Sequence, residues 1–297
     1  MELKHKSGFV SLVGRPNVGK STLLNHMIGE KVSIVSDKIQ TTRHRIHGIL
    51  SEEDAQIIFV DTPGVHKPKH ELGDAMVNVS IQSLRDVDLV LFIINAEEGF
   101  GKGDQFIINK LKEINTPVFL VINKIDLVHP DDLLPLITLY TEKMVFSEVV
   151  PVSALNGNNV ETLQSLIKSY LPEGPKYYHP DDKTDRSTQF RISELIREKV
   201  LFYTEEEIPH SVNVLVESIE EKEHIVHIHA LIITERPSQK GILIGKRGSM
   251  LKQIGKEARM ELEDYFDKKV NLQLWVKVVK DWRNRRSLLA QYGFDLE

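Results

Sequence analysis

A glycine-rich segment near the amino terminus, GRPNVGKS from Gly14 to Ser21, has the residue types and spacing of a phosphate-binding loop. It follows an apolar run, FVSLV, and precedes a helical stretch, STLLNHMIGE. Glycines let backbone N–H groups point at phosphate oxygens, and the following helix presents its positive end to them. We expect Lys20 to reach the β- and γ-phosphates and the Ser21 hydroxyl to bind Mg²⁺. The predicted nucleotide contacts here are Gly14, Arg15, Pro16, Asn17, Val18, Gly19, Lys20, Ser21 and Thr22.

A second motif, DTPG, follows the strand-like run QIIFV and comprises Asp61, Thr62, Pro63 and Gly64. The motif places a carboxylate at the carboxyl end of a strand, where open α/β sheets bind ligands. We expect Asp61 to orient Mg²⁺, directly or through water, and the Gly64 N–H to contact the γ-phosphate. Taken alone, DTPG is also compatible with an ordinary turn.

A third motif, NKID, follows the run VFLVI and contributes Asn123, Lys124 and Asp126. The Asp126 carboxylate is expected to accept two hydrogen bonds from N1–H and the 2-amino group of guanine, a pair that adenine cannot supply. A site built on such bonds rejects the wrong base by factors on the order of 10⁴. GTP is therefore favoured over ATP. A weaker signal, Ser153-Ala154-Leu155 after EVVPV, is expected to place a backbone N–H at guanine O6.

The order and spacing of these motifs resemble the translation-factor-like class of P-loop GTPases. In that class a switch-loop threonine completes the Mg²⁺ shell, and QTTR lies between the first helix and DTPG. We choose Thr42, with Thr41 as the competitor and a merely solvated hydroxyl as the alternative. We expect the γ-phosphate to order the loops at 37 to 47 and 64 to 75.

The residue after Gly64 is Val65, where Ras-like proteins carry a water-orienting glutamine. Intrinsic hydrolysis is therefore expected to be slow, or to depend on a group or ion supplied elsewhere. In related GTPases with a hydrophobic residue here, a P-loop asparagine helps to hold K⁺ beside the phosphates, and Asn17 matches that asparagine. The predicted catalytic set is Lys20, Thr42, Gly64 and Asn17.

The elements that position these motifs are predicted from the chain's pattern. Strand-like runs alternate with helical stretches up to about residue 172. This pattern predicts an α/β P-loop GTPase domain with a mostly parallel sheet and crossover helices at 1–172. The segment at 173–186, rich in proline, glycine and acids, is expected to be an exposed linker. Beyond it the order α, β, β, α, α, β predicts an α+β domain at 187–297.

Composition adds weaker expectations. The chain has 297 residues, a net charge of -5 and no cysteine, so a disulfide framework is excluded and a reducing, cytoplasmic compartment is favoured. The amino-terminal residues are unlike a signal peptide. The apolar runs at 89 to 94 and 118 to 122 fall well below the ~20 residues that span a bilayer, and we interpret them as buried strands.

The second domain has a basic segment with the loop Gly245-Lys246-Arg247-Gly248 between two apolar helical stretches. Between Arg236 and Arg286 there are fourteen Lys or Arg and six Asp or Glu. The loop and the element order match a type II KH domain, whose GxxG loop clamps about four single-stranded nucleotides. Ile244, Leu251 and Ile254 either line the nucleotide groove or pack in the core. Other residues have plainer interpretations: core packing for Trp275 and Trp282, and exposed strand positions rather than a zinc site for His227 and His229.

The whole pattern resembles the Era family of GTPases, which join these two domains in this order. The matching segments include GRPNVGKSTLLN, QTTRHRIHGI, DTPGVHKPKHELG, NKID, VSAL, ERPSQKGILIGKRGSMLKQIG and WVKV. The resemblance implies binding to the 3′ end of 16S ribosomal RNA, assistance in 30S maturation, a cytoplasmic location and peripheral association with the cell membrane. We also expect a monomer. The alternatives are a constitutive RNA-binding chaperone with nucleotide as a structural ligand, and an RNA-modifying GTPase, for which we find no second catalytic site.

Overall fold

The computed structural model describes residues 5–65 and 67–294. The outer ends of the two predicted domains, at residues 1 and 297, lie outside the described residues, as do the first four residues compared above with a signal peptide. His66, within the predicted 64 to 75 loop, also lies outside them.

The first domain is built on a sheet with the described strand order β2-β3-β1-β4-β5-β6, in which β2 runs antiparallel to β3 and the other neighbours are parallel. The strands are Lys6–Val13 (β1), Ile46–Ser51 (β2), Ala55–Asp61 (β3), Leu89–Asn95 (β4), Val118–Asn123 (β5) and Glu148–Pro151 (β6). The helices are Lys20–Ile28 (α1), Glu71–Gln82 (α2), Lys102–Leu111 (α3), Pro130–Thr141 (α4) and Val160–Tyr170 (α5). Strands β3, β4 and β5 are buried along their whole length, because apolar cores cover both faces of the sheet. The sheet and its helices confirm the predicted α/β architecture. The parallel strands place the P-loop, DTPG and NKID at one edge of the sheet.

The antiparallel edge strand β2 is absent from the strands predicted from the sequence. Strand β2 is hydrogen-bonded to the linker at 173–186. The linker residues are mostly exposed, as expected. The Ile49 N–H donates to the Lys183 carbonyl at 2.9 Å. On the neighbouring strand, the buried Gln56 side chain accepts from the Tyr177 and Tyr178 N–H groups at 2.7 and 3.0 Å. The linker is therefore attached to the sheet edge.

The elements of the second domain are Thr188–Tyr203 (α6), Ile208–Ser211 (α7), Asn213–Glu221 (β7), Ile225–Thr234 (β8), Pro237–Ile244 (α8), Ser249–Phe266 (α9), Lys269–Val278 (β9) and Arg286–Gln291 (α10). The second domain confirms the predicted order α, β, β, α, α, β and has two further short helices, α7 and α10. The sheet order is β7-β8-β9, with β7 antiparallel and β9 parallel to β8. One face of this sheet packs on α6 and α9, which form the core of the domain.

A small apolar cluster joins the two domains. Leu72 and Met76 on α2 pack against residues of the second domain, namely Ile233, Trp282, Leu289 and Phe294. Since α2 follows the DTPG loop, the helix at the nucleotide edge of the first domain rests directly on the second.

The two long apolar runs form β4 and β5, as predicted. In the part of the chain that the structure describes, the helices fall short of the combined length and apolar content that a bilayer span requires.

Candidate nucleotide and RNA sites

A cavity of about 470 Å³ lies at the carboxyl edge of the first sheet. Its floor is the P-loop and the start of α1, and its wall is the segment at 34–42 that leads towards β2. Gly64 and Lys124 contribute from the DTPG and NKID loops. The P-loop residues that line it are Pro16, Asn17, Gly19, Lys20, Ser21 and Thr22.

Lys20 opens α1 and folds back over the P-loop. Its Nζ donates to the carbonyl oxygens of Arg15 at 3.0 Å and Gly14 at 3.4 Å. Burial lowers the pKa of Lys20 to about 8, an effect that the Asp61 carboxylate partly opposes. A buried cation held by two carbonyl dipoles is suited to exchange those weak partners for phosphate oxygens.

Three oxygen-bearing side chains from three separate segments meet beside Lys20. The Ser21 hydroxyl donates to Asp61 Oδ2 at 2.9 Å and lies 3.0 Å from the Thr42 hydroxyl, which is 3.4 Å from the same Oδ2. Asp61 is fully buried, and burial raises its pKa against the opposing effect of Lys20. Its other oxygen, Oδ1, is buried and accepts no hydrogen bond from the described residues. A hard donor set with an unused carboxylate oxygen fits Mg²⁺.

The two candidate threonines have different surroundings. Thr41 donates from Oγ1 to the Lys38 carbonyl at 2.6 Å, within its own loop, and lies 3.5 Å from the Ser36 carbonyl. Thr42 is buried and faces Ser21 and Asp61. The geometry favours Thr42, and its role as a metal ligand stays a prediction.

Gly64 lies close to the P-loop. A Cβ at this position would stand 2.7 Å from the Pro16 backbone, so only glycine permits the approach. The next residue, Val65, is buried in the apolar core on the α3 side of the sheet and donates its N–H to the Gly14 carbonyl at 3.1 Å. Val65 therefore anchors the loop and provides no side-chain group for a water.

Asn17, at the exposed tip of the P-loop, has a left-handed backbone with φ of 63°. Its Nδ2 donates to the Asp37 carbonyl at 2.6 Å, which links the P-loop to the 34–42 wall. This bond uses the donor end of the amide and orients the acceptor oxygen.

Asn123 holds two loops together. Its Nδ2 donates to the Val18 carbonyl at 2.8 Å, and its Oδ1 accepts from the Ala154 N–H at 2.9 Å. Asn123 and Ser153 are both buried. Asn123 therefore acts on the nucleotide site by fixing the P-loop against the segment at 153–155.

The remaining predicted nucleotide contacts lie outside the residues that line the cavity. Asp126 and Leu155 are exposed, outside the cavity lining that includes Lys124. Val18 is in the core. Behind the cavity, Thr62 donates to the Leu12 carbonyl at 2.8 Å, and the Pro63 carbonyl accepts from Ser80 at 2.7 Å.

Arg15 is directed to one side of the P-loop. Its guanidinium pairs with Glu98 and lies 3.4 Å from Asp104. Any contact of Arg15 with nucleotide in this geometry is through its backbone.

The GxxG loop joins α8 to α9 through two glycines with positive φ. Gly245 has φ of 73°, and a Cβ there would lie 2.8 Å from Met250, so the loop requires glycine. Gly248, with φ of 79°, has open space where a Cβ would be. Arg247 between them also has a positive φ, of 54°.

A groove of about 560 Å³ starts at Gly248 and runs between α9 and β9. Leu251, Leu272 and Leu274 supply its apolar floor, and its basic rim consists of Lys252, Lys256 and Arg259. Of the candidate groove residues, Ile254 is fully buried in the core, and Ile244 packs against that core. Leu251 is the candidate that the structure places in the groove.

The core prediction for Trp275 is wrong. Its side chain is 46% exposed, and its ring stacks on His229 with centroids 5.6 Å apart. The reason is strand alternation, because β9 places Trp275 on the face of the sheet opposite α9. Trp282 is fully buried, as predicted, and donates its Nε1–H to the Ser211 carbonyl at 3.0 Å.

Comparisons with known proteins bear on both domains. Residues 9–124 match a family model described as a 50S ribosome-binding GTPase, and residues 207–283 match a KH domain model. A crystal structure of Era in complex with MgGDPNP and nucleotides 1506–1542 of 16S ribosomal RNA is 44% identical, covers 98% of this chain and 100% of its own, and superposes with a TM-score of 0.95. The chain belongs to the Era family. A variant of Aquifex aeolicus Era bound to GDP and AlF4⁻ has the same identity and coverage with a TM-score of 0.94. The first domain is therefore a P-loop GTPase domain, and the second is a KH domain.

In this Era-family chain, sequence reasoning missed Ser33. Its hydroxyl donates to Asp61 Oδ2 at 2.8 Å, beside the bond from Ser21. Ser33 lies in a loop with the sequence KVSIVSDK, which contains no recognised motif. Only the fold shows that this loop returns to the end of β3.

Proposed function

We propose that this chain is a GTP-binding and GTP-hydrolysing switch that binds the 3′ end of 16S ribosomal RNA and assists 30S subunit assembly. The observation that carries the proposal is the cluster of Ser21, Thr42 and Asp61 oxygens at the P-loop, in one chain with a GxxG loop and a basic groove. The similar Era structure, solved with MgGDPNP and a 16S ribosomal RNA fragment, supports both ligands.

In this proposal Ser21, Thr42 and Asp61 hold Mg²⁺, which supplies charge neutralisation at the phosphates when bound. Lys20 exchanges its carbonyl partners for phosphate oxygens, and the Gly64 N–H contacts the γ-phosphate. Asp126 pairs with guanine, and Ala154, held by Asn123, presents its backbone near O6. Loss of the γ-phosphate would then remove the contact that the Gly64 N–H makes with it, and the loops at 37 to 47 and 64 to 75 would relax.

We propose that K⁺ assists hydrolysis at Asn17. The Asn17 amide is already oriented by the Asp37 carbonyl, and Val65 provides no group that orients water. Hydrolysis is expected to be faster in K⁺ than in Na⁺ at equal ionic strength, and Asn17→Ala removes the difference. Equal wild-type rates in the two salts would contradict this role.

The division into domains at 1–172, linker at 173–186 and domain at 187–297 is part of the proposal. So are a cytoplasmic location, a monomeric state and peripheral membrane association, of which the last rests on the family resemblance. Sedimentation of the purified chain and fractionation of cells test the last three.

The RNA role is tested with a short single strand copying the 3′ end of 16S ribosomal RNA, bound in the presence of GTP analogue, GDP or no nucleotide at fixed ionic strength. We expect tighter binding with the GTP analogue, abolished by Gly248→Asp, because the new carboxylate meets the RNA backbone. Gly29→Asp is the matched control, since Gly29 is also left-handed with open space around it but lies in the first domain. Equal binding in all three states would instead support a constitutive RNA chaperone.

A further inference from the structure

The first helix of the KH domain, α6, lies against the loop that carries Thr42. Arg191 on α6 donates to Glu30 at 2.8 Å. Two turns further along, Glu198 accepts from Lys31 Nζ at 2.6 Å and from the Val35 N–H at 3.1 Å. These side chains share one face of the helix, as residues about three and four apart do. The face therefore follows the nucleotide-binding loop from residue 30 onwards.

Arg197, one residue before Glu198 on α6, contacts the residue next to Thr42. It is 1% exposed, and its guanidinium donates to both Glu194 carboxylate oxygens, at 2.7 and 2.6 Å. The same guanidinium donates to the Thr41 carbonyl. Burial alone would raise the pKa of Glu194, but the charge and hydrogen bonds of Arg197 and the neighbouring basic groups together outweigh burial and lower that pKa, so the Arg197–Glu194 pair stays ionised. A planar fork fixed on two oxygens aims its remaining N–H groups in a defined direction.

Arg43, on the other side of Thr42, contacts the KH domain as well. It is 2% exposed and donates to the Val212 carbonyl at 2.5 Å and to the Pro209 carbonyl at 2.8 Å. Both acceptors lie between α6 and β7. The backbone on each side of Thr42 is thus attached to the KH domain, while the Thr42 hydroxyl faces Ser21 and Asp61.

We propose that Arg197 is a positioning residue of the GTP site. Through the Thr41 carbonyl, and together with Arg43, it holds the Thr42 hydroxyl in its place beside Ser21 and Asp61. The KH domain thereby completes the binding site for Mg²⁺ and the γ-phosphate. Such a coupling is reciprocal. A nucleotide that recruits Thr42 therefore stabilises the docking of α6 on the first domain, and a nucleotide that does not recruit Thr42 leaves this docking less stable. The proposal rests on the function proposed above.

A purely structural role for Arg197 would have different effects on nucleotide binding. If Arg197 only joined the domains, its loss would lower stability and weaken binding of GTP and GDP alike. A positioning role affects the nucleotide that needs Thr42, so it changes the ratio of the two affinities and the Mg²⁺ requirement.

The test uses the full chain with Arg197→Gln and Glu194→Gln combined, so that no buried carboxylate is left without its partner. Affinities for a GTP analogue and for GDP are measured across a Mg²⁺ titration. We expect the analogue affinity to fall about tenfold more than the GDP affinity, within the range usual for coupled sites, with a higher Mg²⁺ midpoint. Arg191→Gln, which removes the Arg191–Glu30 pair on the same helix, should leave the ratio unchanged. An unchanged ratio in the folded double variant would overturn the proposal.

A second measurement needs no variant. Amide hydrogen exchange of the wild-type chain is compared with Mg²⁺ and GTP analogue or with GDP. We expect greater protection of α6 and residues 209–212 with the analogue, and equal protection in the two states would overturn the coupling. If the wild type binds no guanine nucleotide, the proposed function itself fails, which is a separate result.

Discussion

At the scale of single residues, sequence motifs show which residues belong to the nucleotide site, but they do not show how the side chains of those residues contact one another. The spacing of GRPNVGKS and DTPG predicts that Ser21 and Asp61 meet, and their side chains lie 2.9 Å apart. Sequence reasoning chose Thr42 but left the adjacent Thr41 as a competitor. The structure separates them, because the Thr41 hydroxyl donates to the Lys38 carbonyl of its own loop, whereas the buried Thr42 hydroxyl faces Ser21 and Asp61.

Thr42→Ala should therefore lower the rate of GTP hydrolysis by about 10² or more, the usual effect of removing one group that stabilises developing charge. Thr41→Ala is the matched control, since its hydroxyl bonds only within its own loop, and its rate should stay within a few-fold of wild type. Single-turnover hydrolysis at saturating Mg²⁺ measures both. The reverse order of effects would identify Thr41 as the ligand instead.

At the scale of elements, the sequence predicts buried strands better than edges and contacts between domains. The run LVLFIIN is a strand because both its faces are buried, and this leaves a continuous apolar signal. Strand β2 has Gly48 and mixed burial, so its sequence does not stand out. The bond from Arg197 to Thr41 joins residues far apart in the chain, and no local pattern encodes it. The exposed Trp275 was missed because alternation along a strand does not say which face is covered.

The segment that follows Thr42 also brings a histidine to the interface. The His44 ring stacks on Phe294 with centroids 4.4 Å apart and meets the edge of Phe190 at 5.2 Å. Burial lowers the pKa of His44 to about 4. Glu194 opposes that shift, and the charges of Arg186, Arg197 and Arg43 add to it.

This pKa predicts a pH-dependent free energy of unfolding. The unfolded chain protonates His44 near pH 6.5, whereas the folded chain does not until about pH 4. Between these values the unfolded state binds the extra proton, so stability falls as pH falls, by about 1.4 kcal/mol per pH unit. His44→Phe retains the ring contacts and should lose this slope in denaturant titrations at pH 7 and pH 5. His224→Phe, at an exposed position, should keep the wild-type slope. Equal slopes in all three proteins would contradict a neutral, half-buried His44 in the folded chain.

At the scale of the whole molecule, the segments that we propose to sense the γ-phosphate are also those that contact the KH domain. The loop at 30–43 meets α6 and the segment at 209–212, and α2 packs its Leu72 and Met76 into the shared cluster with Trp282. The GxxG loop and its groove lie on the same domain. Motifs predicted the two sites, but only the fold shows that one interface connects them.

The most direct test of a nucleotide-gated RNA switch is a closed binding cycle at fixed salt. GTP-analogue affinity is measured with and without the 3′-end RNA, and RNA affinity is measured with and without the analogue, in the wild type and in Gly248→Asp. We expect both affinities to rise by the same factor, about fivefold or more, as linkage requires, and the effect to vanish in the variant. A factor of one, with both ligands binding well, would contradict the coupling and leave two independent sites in one chain.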